Sequence, residues 1–260
     1  MNHACGPIFR GGGGTISPAG FRLRSVCLAG RMAPPPRWWA WALMGLALAV
    51  AAPAADDWYA LSPDEFSQQP AAHARIDPAA FDHGLMNAAI FHETNRVRRR
   101  LGLPTFTHVA KLDDAADLKA AFGVLETVVR HENPIPLTAT PVDRVTAVGL
   151  QYARVSENIA RISSYDLPPG TDALGVRRSW GKTEYFRLDT GRPPELQTYA
   201  GFAATVVDSW MGSPGHRENI LDPHLVSLGS AARPCLSPIN RHEQIYAVQV
   251  FFTPAHTGKK

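Results

Sequence analysis

Cysteine is scarce in this sequence, which contains Cys5, Cys27 and Cys235 and no others. The first two fall within residues 1–54, a segment with the character of a removable leader. An exported chain that keeps one cysteine has no internal disulfide, which excludes a small scaffold stapled by disulfide bonds. We therefore expect an ordinary hydrophobic core, which roughly 200 residues can supply.

Acidic residues are absent before Asp56. After Met32, the basic Arg37 precedes a thirteen-residue apolar run at 38–50 and then small residues, which are the three parts of a secretory signal peptide. The run is shorter than the ~20 residues of a comfortable membrane span. We expect residues 32–54 to be a signal peptide, residues 1–31 an upstream mis-start, and the protein to be secreted or periplasmic. An uncleaved N-terminal anchor is the alternative.

A large net charge of one sign is also lacking once the leader is set aside. Residues 1–54 carry five of the 26 Lys and Arg side chains and none of the 23 Asp and Glu, so the remainder has 21 basic and 23 acidic side chains and a net charge of −2. The sequence pI of about 8.9 belongs to the precursor and is no argument for nucleic acid or anionic lipid. We expect no nucleic-acid partner and no stable membrane span after signal cleavage.

Two motifs of hydrolases are missing. There is no H-E-x-x-H zinc motif, because His92-Glu93 and His131-Glu132 are isolated dipeptides. There is no G-x-S-x-G elbow either, and Ser213 is expected to bond the backbone of its own Pro-Gly turn rather than to act with His216. The sequence therefore disfavours a nucleophilic serine hydrolase.

Apolar residues at helical spacing predict three helices. The first begins near Phe81 and ends at Gly102, with its arginine triplet at 98–100 on a solvated face. The second runs from about Lys111 to Val129 and holds His131 at its C-terminal end. The third runs from about Thr198 to Met211.

The remaining segments predict loops and a terminal hairpin. Residues 55–80 suggest an irregular arm or a short helix on the surface, 134–155 have no clear pattern, and 163–196 indicate a long surface loop. Residues 225–233 and 244–252 suggest a hairpin whose second strand is apolar on both faces and therefore covered on both. This order predicts an α+β fold, a three-layer α-β-α sandwich with an antiparallel central sheet.

One stretch, Trp210 to Leu221, joins the third helix to a possible functional histidine. His216 follows a Ser-Pro-Gly break, in which proline fixes its own φ and glycine adopts angles that other residues avoid. Such a turn would present the imidazole rigidly at a pocket wall. A loop histidine facing water is the alternative.

Several short motifs follow one another along the chain. They are His92-Glu-Thr-Asn-Arg96, Leu101-Gly-Leu-Pro104, Leu112 to Ala121, His131, Ser156-Glu-Asn-Ile-Ala160, Ser209 to Leu221, Leu228-Gly229 and Tyr246 to Phe251. In order and spacing they resemble the CAP superfamily, which comprises the cysteine-rich secretory, antigen 5 and pathogenesis-related proteins with an SCP-like extracellular domain. The resemblance covers roughly residues 85–252 with inserted loops at 134–150 and 163–196, and implies a domain of 81–254, an arm of 55–80 and a tail of 255–260.

The resemblance implies an α-β-α sandwich whose cleft is lined by two histidines and two acidic residues. The histidines fall on His131 and His216, and the first acidic residue falls on Glu157, with serine in place of the usual preceding glycine. The place of the second acidic residue holds Met211, Gly212 or Ser213, and Glu218 lies on the wrong side of His216 to replace it. The expected tetrad is therefore incomplete.

Three functions remain open for His131, Glu157 and His216. Two imidazoles and a carboxylate are ligand types for Zn²⁺ at an open site, which would suit a zinc-dependent extracytoplasmic hydrolase. The same three residues could instead form a buried polar network that holds the fold together. The sequence favours a non-enzymatic binding module whose His/Glu-lined cleft takes a small molecule, a lipid, a peptide or a cell-wall ligand, with Zn²⁺ as a tentative cofactor.

Overall fold

The structure is a computed structural model that describes residues 55–167, 174–235 and 244–255. The expected mis-start segment and signal peptide, and the Pro238- and Asn240-containing loop of the terminal hairpin, lie outside the described residues. Residues 51–260 form one compact unit, which contains every described element and both hydrophobic clusters. Within the described part, no helix is long and apolar enough to cross a membrane.

The described chain contains six α-helices and six strands. The helices are α1 (Pro63–Ser67), α2 (His83–Arg100), α3 (Ala110–Gly123), α4 (Pro141–Ala147), α5 (Tyr199–Gly212) and α6 (Pro214–Leu221). The strands are β1 (Thr107–His108), β2 (Tyr152–Ser163), β3 (Leu174–Ser179), β4 (Lys182–Arg187), β5 (Ser227–Cys235) and β6 (Gln244–Pro254).

The central sheet has the strand order β1-β5-β6-β2. β6 pairs antiparallel with β5 and with β2, so the prediction of a central, doubly covered C-terminal strand is confirmed. The short β1 pairs parallel with β5, which makes the sheet mixed and not wholly antiparallel as predicted. The two residues of β1 lie in the link between α2 and α3 and carry too little apolar pattern to be recognised as a strand.

Alternation along β6 builds the three layers, because successive side chains of a strand point to opposite faces. Ile245, Ala247 and Phe251 pack in a cluster with α2, α5 and α6, whereas Tyr246 and Val248 pack in a second cluster with α3 and α4. The predicted α-β-α sandwich is therefore confirmed.

The segment before α2 contributes to the core and does not merely lie on the surface. Trp58, Phe66 and Ile76 are buried in the same cluster as α2 and α5. The ring of His92 stacks on Phe66 at 4.5 Å between centroids, and its Nε2 lies 2.8 Å from the carbonyl oxygen of Trp58. The sequence did not predict this burial because the prolines of 55–80 break the segment into short helical turns without a readable period.

The first helix matches its prediction except at its arginines. Arg98 is buried and not solvated: its guanidinium donates to the carbonyl oxygens of Pro104 and Ile220 and lies over the ring of Phe106. Leu101, which follows the helix, is an exposed C-cap residue. Arg98 thus joins the end of α2 to the end of α6.

The second helix ends at Gly123 and does not continue to Val129. A Cβ at Gly123 would lie 2.2 Å from the ring of Tyr246, so helix and sheet are in direct contact there. Beyond it, Arg161 of β2 donates to the carbonyl oxygens of Gly123 and Glu126 and stabilises the exit from the helix. His131 therefore lies in irregular chain and not at a helix end. The third predicted helix is confirmed as α5, with Thr198 as its N-cap.

Both inserted regions contain structure that the sequence analysis did not assign. Within 134–155, the Thr140 and Asp143 side chains form a capping box that starts α4. Within the predicted loop of 163–196, β3 and β4 pair as a hairpin closed by Trp180 and Gly181. The prediction of a continuous loop was wrong because these strands are largely polar and exposed, and so lack apolar alternation.

Candidate functional site

The candidate site lies at β2, the edge strand of the central sheet. Glu157 and Asn158 are neighbours in this strand, so their side chains point to opposite faces. Glu157 points toward the α3 and α4 layer, where it meets Arg144, and Asn158 points toward the layer of α2, α5 and α6. Groups from both helical layers can therefore meet at this edge.

On the first face, Glu157 is the centre of a charged triad. Its Oε1 lies 2.9 Å from Nδ1 of His131, and its Oε2 accepts a hydrogen bond from Nη2 of Arg144 at 2.5 Å. The Glu157 and Arg144 side chains are 1% and 0% exposed, whereas His131 is 46% exposed. The triad therefore runs from a fully buried guanidinium to an imidazole that solvent and ligands can reach.

Arg144 also positions the chain that carries His131. Its Nη1 donates to the carbonyl oxygens of Thr138 and Ala139, and its Nη2 donates to the carbonyl oxygen of His131 itself. One side chain of α4 thus fixes both the carboxylate and the backbone of its imidazole partner. Arg144 was not among the residues predicted from the sequence, although the Thr140-Pro-Val-Asp143 pattern is a capping-box signal that predicts a helix there.

On the second face, α6 carries His216. The break predicted before His216 is in fact the start of this helix, with Ser213 as N-cap and Pro214 at the first position, where proline costs no backbone hydrogen bond. Gly215 does not have a positive φ, so the prediction of a rigid Pro-Gly turn was wrong. Ser213 makes no side-chain capping bond, contrary to the prediction. His216 is partly buried at the first turn of the helix.

Two asparagines bind α6 to β2. Asn219 donates from Nδ2 to Asn158 Oδ1 at 2.9 Å and to the carbonyl oxygen of Glu157 at 3.3 Å. Asn158 in turn donates to the carbonyl oxygen of His216 at 3.1 Å. His216 is therefore held against the strand that carries Glu157, through its backbone and not through its ring.

This connection extends into the core. Asn158 Nδ2 lies 3.4 Å from Oε1 of Gln249, whose Nε2 donates to Oγ1 of Thr94 on α2 at 2.6 Å. Asn158, Gln249 and Thr94 are all fully buried. Buried polar groups that satisfy one another in a chain specify a single arrangement, so α6 has a defined position on the sheet.

The two imidazoles differ in their protonation. The hydrogen bond to Glu157 raises the pKa of His131 above its usual value, against an opposing effect of burial. Burial lowers the pKa of His216, and the positive charge on His131 lowers it further. At neutral pH the site therefore combines an imidazole that favours the charged form with one that favours the neutral form.

The structure therefore brings His131, Glu157 and His216 to one edge of the sheet, but it does not hydrogen-bond all three. His131 and Glu157 are directly paired. The His216 ring makes no hydrogen bond with any residue in the described ranges. The network observed is therefore His131-Glu157-Arg144, and His216 is attached to the same strand through its backbone.

The residues present fit a zinc ion poorly. Both oxygens of Glu157 are already used, and the Arg144 guanidinium beside them repels a divalent cation. In the described parts of the chain, no group of three His, Cys, Asp or Glu side chains is arranged to hold a metal. The second acidic position is filled by Met211, Gly212 or Ser213, and Glu218 is exposed on α6. Zinc binding by His131, Glu157 and His216 stays a prediction.

The three-layer sandwich is the fold expected from the resemblance. A family model for the cysteine-rich secretory protein family, CAP, matches residues 91–251. The chain belongs to this family. A search of the curated proteins finds no match.

Three solved structures from bacteria are similar to this chain. An extracellular protein containing an SCP domain from Bacillus anthracis is 20% identical over 74% of this chain and 44% of its own, with a TM-score of 0.43. An outer surface protein of Borrelia burgdorferi is 14% identical over 64% of this chain and 90% of its own, with a TM-score of 0.41. A cysteine-rich secretory protein of Staphylococcus aureus is 12% identical over 66% of this chain and 39% of its own, with a TM-score of 0.39. The chain thus spans less than half the length of the first and third.

Proposed function

We propose that this protein is a non-enzymatic binding module whose cleft, formed by His131, Glu157 and His216, takes an anionic group of an extracytoplasmic ligand. A small molecule, a lipid, a peptide or a cell-wall component could carry that group. The observation that supports this proposal is the pairing of Glu157 with Arg144, which cancels the one carboxylate of the triad. A proton on His131 then leaves the site with a net positive charge.

The position of His131 supports the same function. Its ring is half exposed while its carboxylate partner is buried, so a ligand can reach the imidazolium but not the carboxylate. His216 adds a second ring without a hydrogen-bond partner among the described residues, which can donate to or accept from a ligand. Charge-assisted hydrogen bonds from an imidazolium to a phosphate or carboxylate are among the stronger polar contacts.

Inorganic phosphate is a suitable minimal probe. We expect it to perturb the NMR signals of the His131 and His216 rings and to bind more weakly as pH rises through the pKa of His131. The variants His131→Gln and His216→Gln should each weaken binding, whereas His73→Gln, on an exposed histidine of the arm, should not. Phosphate binding that persists unchanged in His131→Gln would contradict the proposal.

A zinc titration separates this function from the zinc-dependent hydrolase. Because both oxygens of the Glu157 carboxylate are already bonded, the wild type and the variants His131→Ala and His216→Ala should bind Zn²⁺ equally poorly. Tight binding that both variants lose would instead favour the metal site and the hydrolase. A loss of stability in both variants without metal would indicate a structural role for the two histidines.

The proposal includes export. Residues 32–54 would be removed as a signal peptide, leaving the arm of 55–80, the domain of 81–254 and the tail of 255–260 in a secreted or periplasmic protein. N-terminal sequencing of the precursor and of the exported protein tests this. A precursor that contains residues 1–31, or an exported protein that keeps residues 32–54, would contradict it.

A further inference from the structure

The hairpin of β3 and β4 ends in a tryptophan at a position that disfavours it. Trp180 and Gly181 are the two turn residues, with φ values of +49° and +79°, as in a type I′ turn. Asn-Gly suits this turn best, and positive φ is rare for a bulky residue. Among the described residues, Trp180 is the non-glycine residue with positive φ. Its side chain is also fully exposed, at 103%. Neither the turn nor the core therefore explains a tryptophan here.

Cationic side chains surround this tryptophan. Arg178 and Lys182 each lie two residues from it, are exposed, and have no acidic partner within the described residues. Arg177 reaches Glu184 only at 3.9 Å, and both side chains are mostly exposed. The cationic tip, defined here as residues 177–184, thus carries three basic side chains against one acidic side chain.

The charge of this region opposes that of the rest of the unit. Residues 174–192 carry five basic and two acidic side chains, a net charge of +3. The remaining residues of 55–260 carry sixteen basic and twenty-one acidic side chains, a net charge of −5. An anionic surface would therefore attract the hairpin and repel the remainder, which orients the molecule with the tip toward that surface.

Contacts within the hairpin and one ring contact outside it order its base. The ring of Phe186 lies across Gly175, where a Cβ would come within 2.2 Å of it. Below it, Arg187 pairs with Asp189 at 2.6 Å, and Tyr185 lies against Tyr165 with ring centroids 6.2 Å apart. The six-residue strands extend the tip by about 20 Å.

We propose that the cationic tip docks the protein on the surface of an anionic phospholipid bilayer, with Trp180 inserted at the level of the headgroups. Tryptophan is enriched at membrane interfaces because its ring is apolar and its N–H is polar, and basic side chains beside it are attracted to acidic lipids. A soluble polyanion would pair with the basic side chains but would offer no apolar surroundings to the ring of Trp180. None of the hairpin residues belongs to the triad of His131, Glu157 and Arg144.

Vesicle binding by the unit of residues 51–260 tests the proposal. The unit should co-sediment with vesicles containing phosphatidylglycerol and bind far less to vesicles of phosphatidylcholine alone. The double variant Arg178→Gln/Lys182→Gln should bind the anionic vesicles about 25-fold more weakly, since each basic side chain near such a surface contributes about fivefold. The exposed arginines Arg100 and Arg130 provide a control, because Arg100→Gln/Arg130→Gln removes the same charge elsewhere.

Trp180→Asn is the more informative variant. It restores the preferred Asn-Gly turn, so it should keep or increase the stability of the hairpin while weakening vesicle binding by about tenfold or more. Trp58 and Trp210, the other tryptophans of the unit, are buried in the core, so a blue shift and quenching by brominated lipids report on Trp180. The proposal is overturned if Trp180→Asn binds anionic vesicles as well as wild type, if wild type does not bind them, or if soluble polyphosphate binds as tightly and independently of Trp180.

Discussion

Arg144 and Glu157 form an ion pair that is shielded from solvent on both sides, with the side chains 0% and 1% exposed. They come from different elements, α4 and β2, and the same arginine also bonds the carbonyl oxygen of His131. The pair therefore links the inserted helix to the edge strand and to the exposed histidine. It makes Glu157 an internal counter-ion, and leaves His131 as the charged group that a ligand can meet.

The first prediction concerns the buried pair. Replacing Arg144 by Met leaves Glu157 buried without its cation, and we expect a loss of about 3–5 kcal/mol in the free energy of unfolding, measured with urea. Arg154→Gln, which removes an exposed pair with Asp222 at 3.6 Å, should cost less than about 1 kcal/mol. Equal small effects would show that the Arg144 pair is not buried in solution.

The second prediction concerns the order of protonation at the site. In an NMR titration His131 should lose its proton at a higher pH than His216, because Glu157 raises the first pKa while burial and the His131 charge lower the second. Glu157→Gln should lower the pKa of His131 clearly. Glu132→Gln, which removes a weaker Coulombic effect, should lower it less. A His216 that titrates above His131 would refute the assignment.

These shifts also fix the sign of the pH dependence of stability. The raised pKa of His131 gives a contribution that is complete below its ordinary pKa and disappears as pH rises through the folded value. The lowered pKa of His216 acts in the opposite sense. As the pH falls, His216 takes up a proton in the unfolded chain before it does so in the folded protein. The free energy of unfolding therefore decreases as the pH drops from the ordinary histidine pKa toward the pKa of His216 in the folded protein. The two contributions therefore oppose each other. A variant that lacks one of the two histidines should show the pH dependence of stability that comes from the other histidine.

The third prediction compares two glycines. A Cβ at Gly229 of β5 would lie 2.3 Å from the backbone carbon of Leu112 in α3, so Gly229→Ala forces the helix from the sheet and should cost about 3 kcal/mol. At Gly212, the last residue of α5, no atom lies within 4 Å of the added Cβ. Gly212→Ala should therefore be neutral or stabilise the protein by up to about 1 kcal/mol. Urea unfolding measures both, and equal effects would contradict the close helix-sheet contact.

How much of the fold the sequence predicts depends on the amount of apolar pattern in each element. α2 and α5 bury apolar stripes, and β6 is apolar on both faces, so each was predictable. α3 ended early because a sheet contact at Gly123 and bonds from Arg161, both distant in sequence, determine its end. The β3-β4 hairpin was missed because its strands are exposed and polar.

The sequence suggests candidate site residues, but it does not reveal the bonds that they make. His131, Glu157 and His216 follow from motifs along the chain, whereas Arg144 becomes visible only when α4 packs against β2. The net charge of −2 over residues 55–260 gave no reason to expect binding to a lipid surface, because a summed charge does not show where the charges lie. The structure separates a cationic tip from an acidic remainder, which composition alone cannot do.

The last prediction concerns the attachment of α6. Asn219 donates to Asn158 Oδ1 and to the carbonyl oxygen of Glu157, so Asn219→Ala should cost about 1–2 kcal/mol in the free energy of unfolding. Because α6 would then move more freely from β2, His216 should become better solvated, and its pKa should rise toward the ordinary value. Glu218→Ala, on an exposed position of the same helix, should change neither quantity measurably. If Asn219→Ala lowers stability but leaves the pKa of His216 unchanged, the asparagine does not position the histidine.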